Sequence, residues 1–261
     1  METRNEKQVA IKKAAPLPSS ILFESDAQAG FENVKNTSVA LPILKLLQNG
    51  SAEGQKRNQA YVEGAEPGML LNTVTKKVYD GSKGIEVIPC HYKLEFQEWS
   101  DFGTGSGRPE QIYPDTSDIL TKTTKDQMGK DRLPNGNYIL TVGQHFVLIV
   151  DKGSTETALI SMSSSQGKIS RKWNSMMMSV KMMGSQGLFT PAIYSQVYRL
   201  TTAAESNDKG KWYGWEIERV GPVEDQGVYL AAKAFAESVS SGQVQVRHDG
   251  DPVEVGNAQP F

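Results

Sequence analysis

Residues 138–184, YILTVGQHFVLIVDKGSTETALISMSSSQGKISRKWNSMMMSVKMMG, change their hydrophobic period once, and that change decides the fold. Tyr138 to Asp151 and Glu156 to Met162 are dense in β-branched and apolar residues and are separated only by the short turn Lys152 to Thr155. With the tight-turn pair Asn135-Gly136 just ahead, they form a β-hairpin. From Ser163 the spacing becomes helical: Ile169, Trp173, Met176, Met177, Val180 and Met183 fall on one face. Ser165 is placed to cap the start of this helix and Gly184 to stop its end. The opposite face carries Lys168, Arg171, Lys172, Ser175 and Ser179.

Working outward, Ile193 to Thr202 and Lys211 to Val220 give a second hairpin around the polar loop AESNDKG. A helix between two hairpins is an arrangement that an OB-fold barrel uses. Upstream, Gly84 to Trp99 (GIEVIPCHYKLEFQEW) forms one long bent strand or two collinear ones, interrupted at Pro89. Met69 to Tyr79 is a strand pair, or a strand with a turn, closed by Asp80-Gly81. Val39 to Gln48 (VALPILKLLQ) suits a helical turn or a buried strand, and periodicity does not decide. The forty or so residues from Ser100 have few apolar anchors and are expected as a long loop or insertion. A terminal helix spans Gln226 to Ser241, with Val228, Leu230, Ala231, Ala234, Phe235 and Val239 as its apolar set. The expected fold is therefore mainly β with a few helices (α+β): an OB-like β-barrel over residues 38–241 with an inserted helix and a long loop. A loosely ordered arm (1–37) precedes it and a flexible tail (242–261) follows.

Composition removes several function classes. A chain of 261 residues, 38% hydrophobic and 22% charged, suits a globular domain with polar chain attached. No apolar run approaches the roughly 20 residues of a membrane helix. The start, METRNEKQVAIKK, has no apolar signal-peptide region, so a cytoplasmic location is expected. One cysteine, Cys90, and three scattered histidines build neither an internal disulfide nor a zinc site, and no cofactor is expected. Enzyme signals are sparse. GTGSG (103–107) is followed by Arg108-Pro109 rather than a helix that could receive a phosphate. Cys90 and His91 would point to opposite faces of a strand. His145 lies inside an apolar run, as a satisfied core histidine does. No catalytic residue is assigned, and a non-enzymatic protein is expected.

Binding signals are stronger. The net charge of −2 hides a stretch, residues 157–204, that has no Asp or Glu but holds Lys168, Arg171, Lys172, Lys181 and Arg199. An ordinary amphipathic helix also shows charges to water, but five cations without a local acid suit an anion-binding surface. Directly after the helix come Phe189, Tyr194, Tyr198, Trp212, Tyr213 and Trp215. A hairpin needs a buried face, so about half of these aromatics belong to the core. Alternation groups Tyr194 and Tyr198 with Leu200, and Tyr213 and Trp215 with Ile217, while Trp212 falls on the other face. Whichever face is solvated offers base-stacking platforms beside Arg199, Lys211 or Arg219. The candidate DNA-binding set is Lys168, Arg171, Lys172, Lys181, Arg199 and Lys211 for phosphates, with Tyr194, Tyr198, Trp212 and Trp215 for bases.

The last residues are polar and mildly acidic (Asp249, Asp251, Glu254) and close on Pro260-Phe261. With the WYGW run of the second hairpin, this tail resembles phage-type single-stranded DNA-binding proteins. The segments LPILKLLQ, YVEGAEPGML, YDGSKGIEVIPC and FQEW resemble early-region proteins of tailed phages. The resemblance implies an OB fold and action in phage DNA replication or recombination in the host cytoplasm. It also implies a tail whose Pro260 and Phe261 recruit replication or recombination proteins, and it leaves self-association open. Two other readings stay open: a phage structural or assembly protein without DNA binding, and a DNA-processing enzyme whose carboxylates bind Mg²⁺.

Overall fold

The computed structural model describes residues 26–27, 29–32, 40–101, 103–105, 107–151, 153–208 and 210–244. In chain order its strands begin with β1 (Leu44–Leu46), β2 (Leu70–Asn72), β3 (Val78–Tyr79) and β4 (Ile85–Trp99). They continue with β5 (Gln111–Pro114), β6 (Thr124–Lys125), β7 (Asp131–Arg132), β8 (Tyr138–Asp151) and β9 (Ser154–Ser163). Helix α1 (Gly167–Ser179) is followed by β10 (Met182–Gly184), β11 (Gly187–Phe189), β12 (Gln196–Asn207), β13 (Gly210–Pro222) and helix α2 (Gln226–Ser240).

The framework is the antiparallel pair β4·β8, in register from Glu86↔Val150 to Trp99↔Tyr138. Pro89 has no N–H to give to the ladder, and the register shifts between Pro89 and His91. The bulge bends the long strand, which lets both of its ends serve different partners. The same edge of β4 pairs with β12 at Ile85 to Val87 and with β5 at Glu95 to Glu98. β8 pairs on its other edge with β9 and, near Tyr138, with β7. The path β13-β12-β4-β8-β9, with α1 between β9 and β12 in sequence, is the strand order of an OB-like barrel.

The small sheet β1-β2-β3 fills the opening between β9 and the β12–β13 hairpin. On one side Leu159 N donates to Pro42 O (2.8 Å) and Ile43 bridges Leu159. On the other, Gln48 Nε2 donates to Tyr213 O (2.9 Å) and Gln48 Oε1 accepts from Tyr213 N (2.8 Å). Thr202 Oγ1 donates to Gly68 O (2.6 Å) and Thr202 N to Gly81 O (2.9 Å). That seam leaves no room for a side chain at Gly81, where a Cβ would lie 1.9 Å from Gly68 O and 2.3 Å from Thr202 Oγ1. Gly81→Ala must push the small sheet off β12 and is expected to cost about 1–3 kcal/mol, as overpacking does. Urea unfolding of the variant checks this, and an unchanged midpoint would contradict the tight seam.

Two cores lie on opposite faces of β8. Val147 and Ile149 point into the barrel with Leu44, Leu70, Tyr198 and Leu200, plugged by Trp173 and Met177 of α1. Phe146 and Leu148 point outward with Ile88, Cys90 and Leu159 and are covered by Ala232, Phe235, Ala236 and Val239 of α2. Covering both faces explains the unbroken apolar run Phe146–Val147–Leu148–Ile149, since a half-exposed strand would alternate. Each fully buried side chain of this size contributes about 1.5–3 kcal/mol. Cys90 sits in the outer core with its thiol pushed up to about 12 by burial, so it is chemically quiet.

Several expectations need correction. Of the two readings left open for Val39 to Gln48 the strand holds, as β1 at Leu44–Leu46 with Leu44 and Leu47 buried. The stretch after Ser100 is not a bare loop but a small folded appendage carrying β5, β6 and β7 on its own core of Phe96, Ile119 and Ile139. Its polar side is fixed by Glu98, which accepts from Tyr113 Oη (2.6 Å), Asn135 Nδ2 (2.9 Å) and Asn137 Nδ2 (2.6 Å). Burial works against this charge, but the three donors outweigh it and hold the carboxyl below its ordinary value. In α2, Leu230 and Ala234 face solvent, while Ala232 and Ala236 are buried. The second hairpin extends to Asn207 and Gly210, so most of the expected polar loop is strand.

Candidate nucleic-acid interface

α1 buries Ser170, Trp173 and Met177 and exposes Lys168, Arg171, Lys172 and Ser175, as its period requires. It is shorter than the spacing implied. Ser165 lies in a 3-10 turn before it, and Gln166 occupies the cap position without a side-chain capping bond. At the other end Val180 turns extended and packs away, and Met182 and Met183 enter the β10·β11 hairpin. A buried β-branched residue and a strand partner thus end the helix before Gly184 is reached. Met178, Met183 and Leu188 are exposed there, so the helical set Ile169 to Met183 is core only as far as Val180.

The helix docks closely because β8 has Gly143 beneath it; a Cβ there would lie 2.5 Å from Ser170 Oγ. Ser170 Oγ in turn meets His145 Nε2 at 2.8 Å, and the imidazole stacks on Trp173 with ring centroids 4.5 Å apart. Desolvation brings the His145 pKa down to about 3. A base that weak takes a proton poorly near neutral pH, so this pair positions α1 against the sheet and does not activate the serine.

Among the described residues, Lys168, Arg171 and Lys172 make no ion pair. Their surroundings differ on the two flanks of the helix. Toward the β12–β13 hairpin, a groove of about 450 Å³ holds Lys172 and Arg199 together with Glu205, Glu216 and Glu218. The acid deficit along residues 157–204 is therefore compensated in space on that side. Arg199 itself is committed, its Nη2 lying 2.6 Å from Glu86 Oε1. Toward the appendage, a larger groove of about 690 Å³ runs between the first turn of α1 and the loop joining β6 to β7. Arg171 and Lys130 face it, with Tyr92 and Tyr138 on its walls and Leu94 and Leu140 in its lining. Among the described residues its lining holds one acid, Asp131, paired with Lys125 at 2.7 Å, while Lys130 reaches Asp101 at 3.9 Å. The positive side of α1 is thus the appendage side.

Of the aromatic residues expected as stacking platforms, Tyr198 and Trp215 are core: 0% and 3% of their surface is exposed, and they are packed under α1. The reason is the direction of the hairpin, whose Tyr198–Leu200 and Trp215–Ile217 face closes the barrel. Its outer face carries Arg199, Glu216 and Glu218 instead. Tyr194 is half-buried beside α2, its ring 5.5 Å from that of Tyr229. Trp212 stays half-exposed at the hairpin tip with Lys211, its indole donating to Glu205 Oε2 at 3.0 Å. Lys181 is exposed and its ammonium donates to Thr190 Oγ1. Pro260 and Phe261 lie outside the described residues. The structure therefore brings together Lys168, Arg171 and Lys172 on one helix and Lys211 with Trp212 at one tip, and it disperses the rest. Sequence reasoning missed Tyr92, Lys130 and Tyr138, which come from β4, the appendage and β8 and line one groove only through strand pairing.

Neither a curated protein nor a solved structure matches the chain. A family model does, over residues 11–245, and it describes the Pam3 phage gp34-like protein. That match covers the barrel, the appendage and both helices, and the chain belongs to the Pam3 phage gp34-like family.

Proposed function

We propose that this phage-family protein binds single-stranded DNA without catalysing a reaction on it, in phage DNA replication or recombination. The observation that carries the reading is the exposed cation row of α1, Lys168, Arg171 and Lys172, unpaired among the described residues and set on the helix that plugs an OB-like barrel. Three cations spaced along about one helical turn match successive backbone phosphates, which supply most of the affinity in non-specific binding. α2 further supports the helix side as the contact surface. OB barrels commonly bind strands across the second and third barrel strands, here β8 and β9. Part of that outer face is occupied by Phe235 and Ala236 packed on Phe146 and Leu148.

Fluorescence anisotropy with a labelled dT oligonucleotide of about 30 nucleotides, long against the site size of one OB barrel, tests the proposal. Binding tighter than to a duplex of equal length is expected, with log K falling against log[salt] at a slope of about −2 or steeper for three phosphate contacts. Absence of binding at low salt, or equal affinity for single strand and duplex, would overturn it. The tail, through Pro260 and Phe261, is proposed to recruit replication or recombination proteins. Its removal is then expected to leave oligonucleotide affinity unchanged or slightly higher, because its acids no longer compete with phosphates.

A further inference from the structure

We infer that the groove between α1 and the β6–β7 turn takes a short run of unpaired nucleotides, one base against Tyr92 and another against Tyr138, with phosphates at Arg171 and Lys130. The inference rests on the proposed single-strand binding and names the part of the surface that reads the base. Four observations converge on that class of ligand. The groove holds about 690 Å³, in the range that accommodates small organic ligands and far too narrow for a duplex. Its lining joins two aromatic rings and apolar side chains to two cations, whereas a purely apolar ligand would need no cation and a free phosphate no ring. Among the described lining residues the one carboxylate, Asp131, is held by Lys125, and Lys130 reaches Asp101 only at 3.9 Å, so with the unpaired Arg171 the site stays positive toward an anion. Finally, its walls are set in advance. Tyr92 and Tyr138 stand on β4 and β8, which are paired throughout. Lys130 is held by a turn in which Asp126 Oδ1 accepts from the N–H groups of Met128 (2.8 Å) and Lys130 (2.9 Å), and Arg132 Nε donates to Asp126 Oδ2 (3.0 Å).

The rings also have the company expected of a stacking site. Lys130 Nζ sits 4.1 Å from the centroid of Tyr138, and the Arg132 guanidinium lies 5.5 Å from it. Arg132 is itself held by Asp101 and Asp126, so Lys130 is the cation that steers a phosphate to the ring. Tyr92 packs against the neutral ring of His145 at 4.9 Å, so its position is fixed by the same helix contact that presents Arg171. Bases would thus be read on the appendage side of α1, away from the hairpin aromatics.

The test pairs substitution with crosslinking. Tyr138→Leu and Tyr92→Leu keep apolar bulk and remove the π-face; each is expected to weaken binding of the dT oligonucleotide by about 10-fold, the effect of one lost base–aromatic stack. The salt slope should stay that of the wild type, because no cation is removed, and Tyr138→Phe should bind normally. On the unsubstituted protein, a 5-iododeoxyuridine oligonucleotide irradiated in complex should crosslink to Tyr92 or Tyr138, which holds even if a leucine variant folds poorly. If the wild type binds the oligonucleotide but crosslinks map elsewhere and both leucine variants bind as tightly, the pocket is refuted and single-strand binding stands. If the wild type binds no oligonucleotide, both fall.

Discussion

Replacing Lys168, Arg171 and Lys172 together with glutamine is expected to weaken oligonucleotide binding by about 100-fold near 0.1 M salt and to flatten the salt slope by about 2. The magnitude follows from counterion release, at about 0.7 in slope for each phosphate contact on a single strand. Stability should hardly change. All three side chains are exposed, and none takes part in an ion pair among the described residues. Glutamine has nearly the helix propensity of lysine and arginine, so α1 itself is not weakened. The parallel changes Arg199→Gln and Lys181→Gln should have little effect on binding, since Arg199 is held by Glu86 and Lys181 by Thr190. Thermal unfolding beside the anisotropy titration separates the outcomes. A collapse of the unfolding midpoint with an unchanged salt slope would make the face structural and remove the central support for DNA binding.

The second large effect is on stability in mild acid. His145 is 1% exposed, and the groups that touch its ring, Tyr92, Ser170 and Trp173, include no carboxylate to favour its protonated form. Its folded-state pKa near 3 lies below the ordinary 6.5, so the unfolded chain takes up the proton first. Stability from this residue is therefore full above about pH 6.5 and is lost as pH falls toward 3, at about 1.4 kcal/mol per pH unit. Between pH 7.5 and pH 4.5 the loss amounts to about 2–3 kcal/mol. His91, lowered by burial and by Lys93, adds in the same direction. Carboxylates held low, such as Glu98 and Asp126, lose their contribution only below their ordinary range near pH 4, so the window above it isolates the histidines. Urea midpoints at pH 7.5, 6.0 and about 4.5 should fall steeply for the wild type and much less for His145→Gln. Equal slopes for the two proteins would mean that His145 is protonated in the fold.

The long strand Gly84 to Trp99, the hairpin 138–162 and the helix face of Trp173 and Met177 were all legible in the sequence. Each is a local pattern whose period survives packing. The choice of face was not. Tyr198 and Trp215 sit at positions where alternation alone permits either side, and only the docking of β12 on β4 sends them inward. The early end of α1 was also hidden, because Val180 to Met183 continue a helical period while pairing with β11 is what captures Met182 and Met183. The basic stretch was read correctly as a run without acids. Its compensation by Glu205, Glu216 and Glu218 depends on a strand that lies beyond it in sequence and beside it in space. Tyr92, Lys130 and Tyr138 gave no signal, since nothing in three separated segments marks them as lining one groove.

The way β4 shares one edge between two partners has a consequence for how the chain reaches this structure. The meander β4-β8-β9 is interrupted in sequence only by the appendage, and the β8–β9 hairpin closes over a very short turn. Closure of the barrel is remote by comparison: Arg199 meets Glu86 across 113 residues, Thr202 meets Gly68 across 134 and Tyr213 meets Gln48 across 165. Pairings this distant make closure the slow, late step, with the meander formed before it. During synthesis the segment Ile85 to Val87 must wait for β12 to leave the ribosome, presenting an apolar edge to every other nascent chain. A chain truncated before Gln196 would keep that edge open for good, so aggregation, rather than a stable half-barrel, is the fate its topology assigns to it.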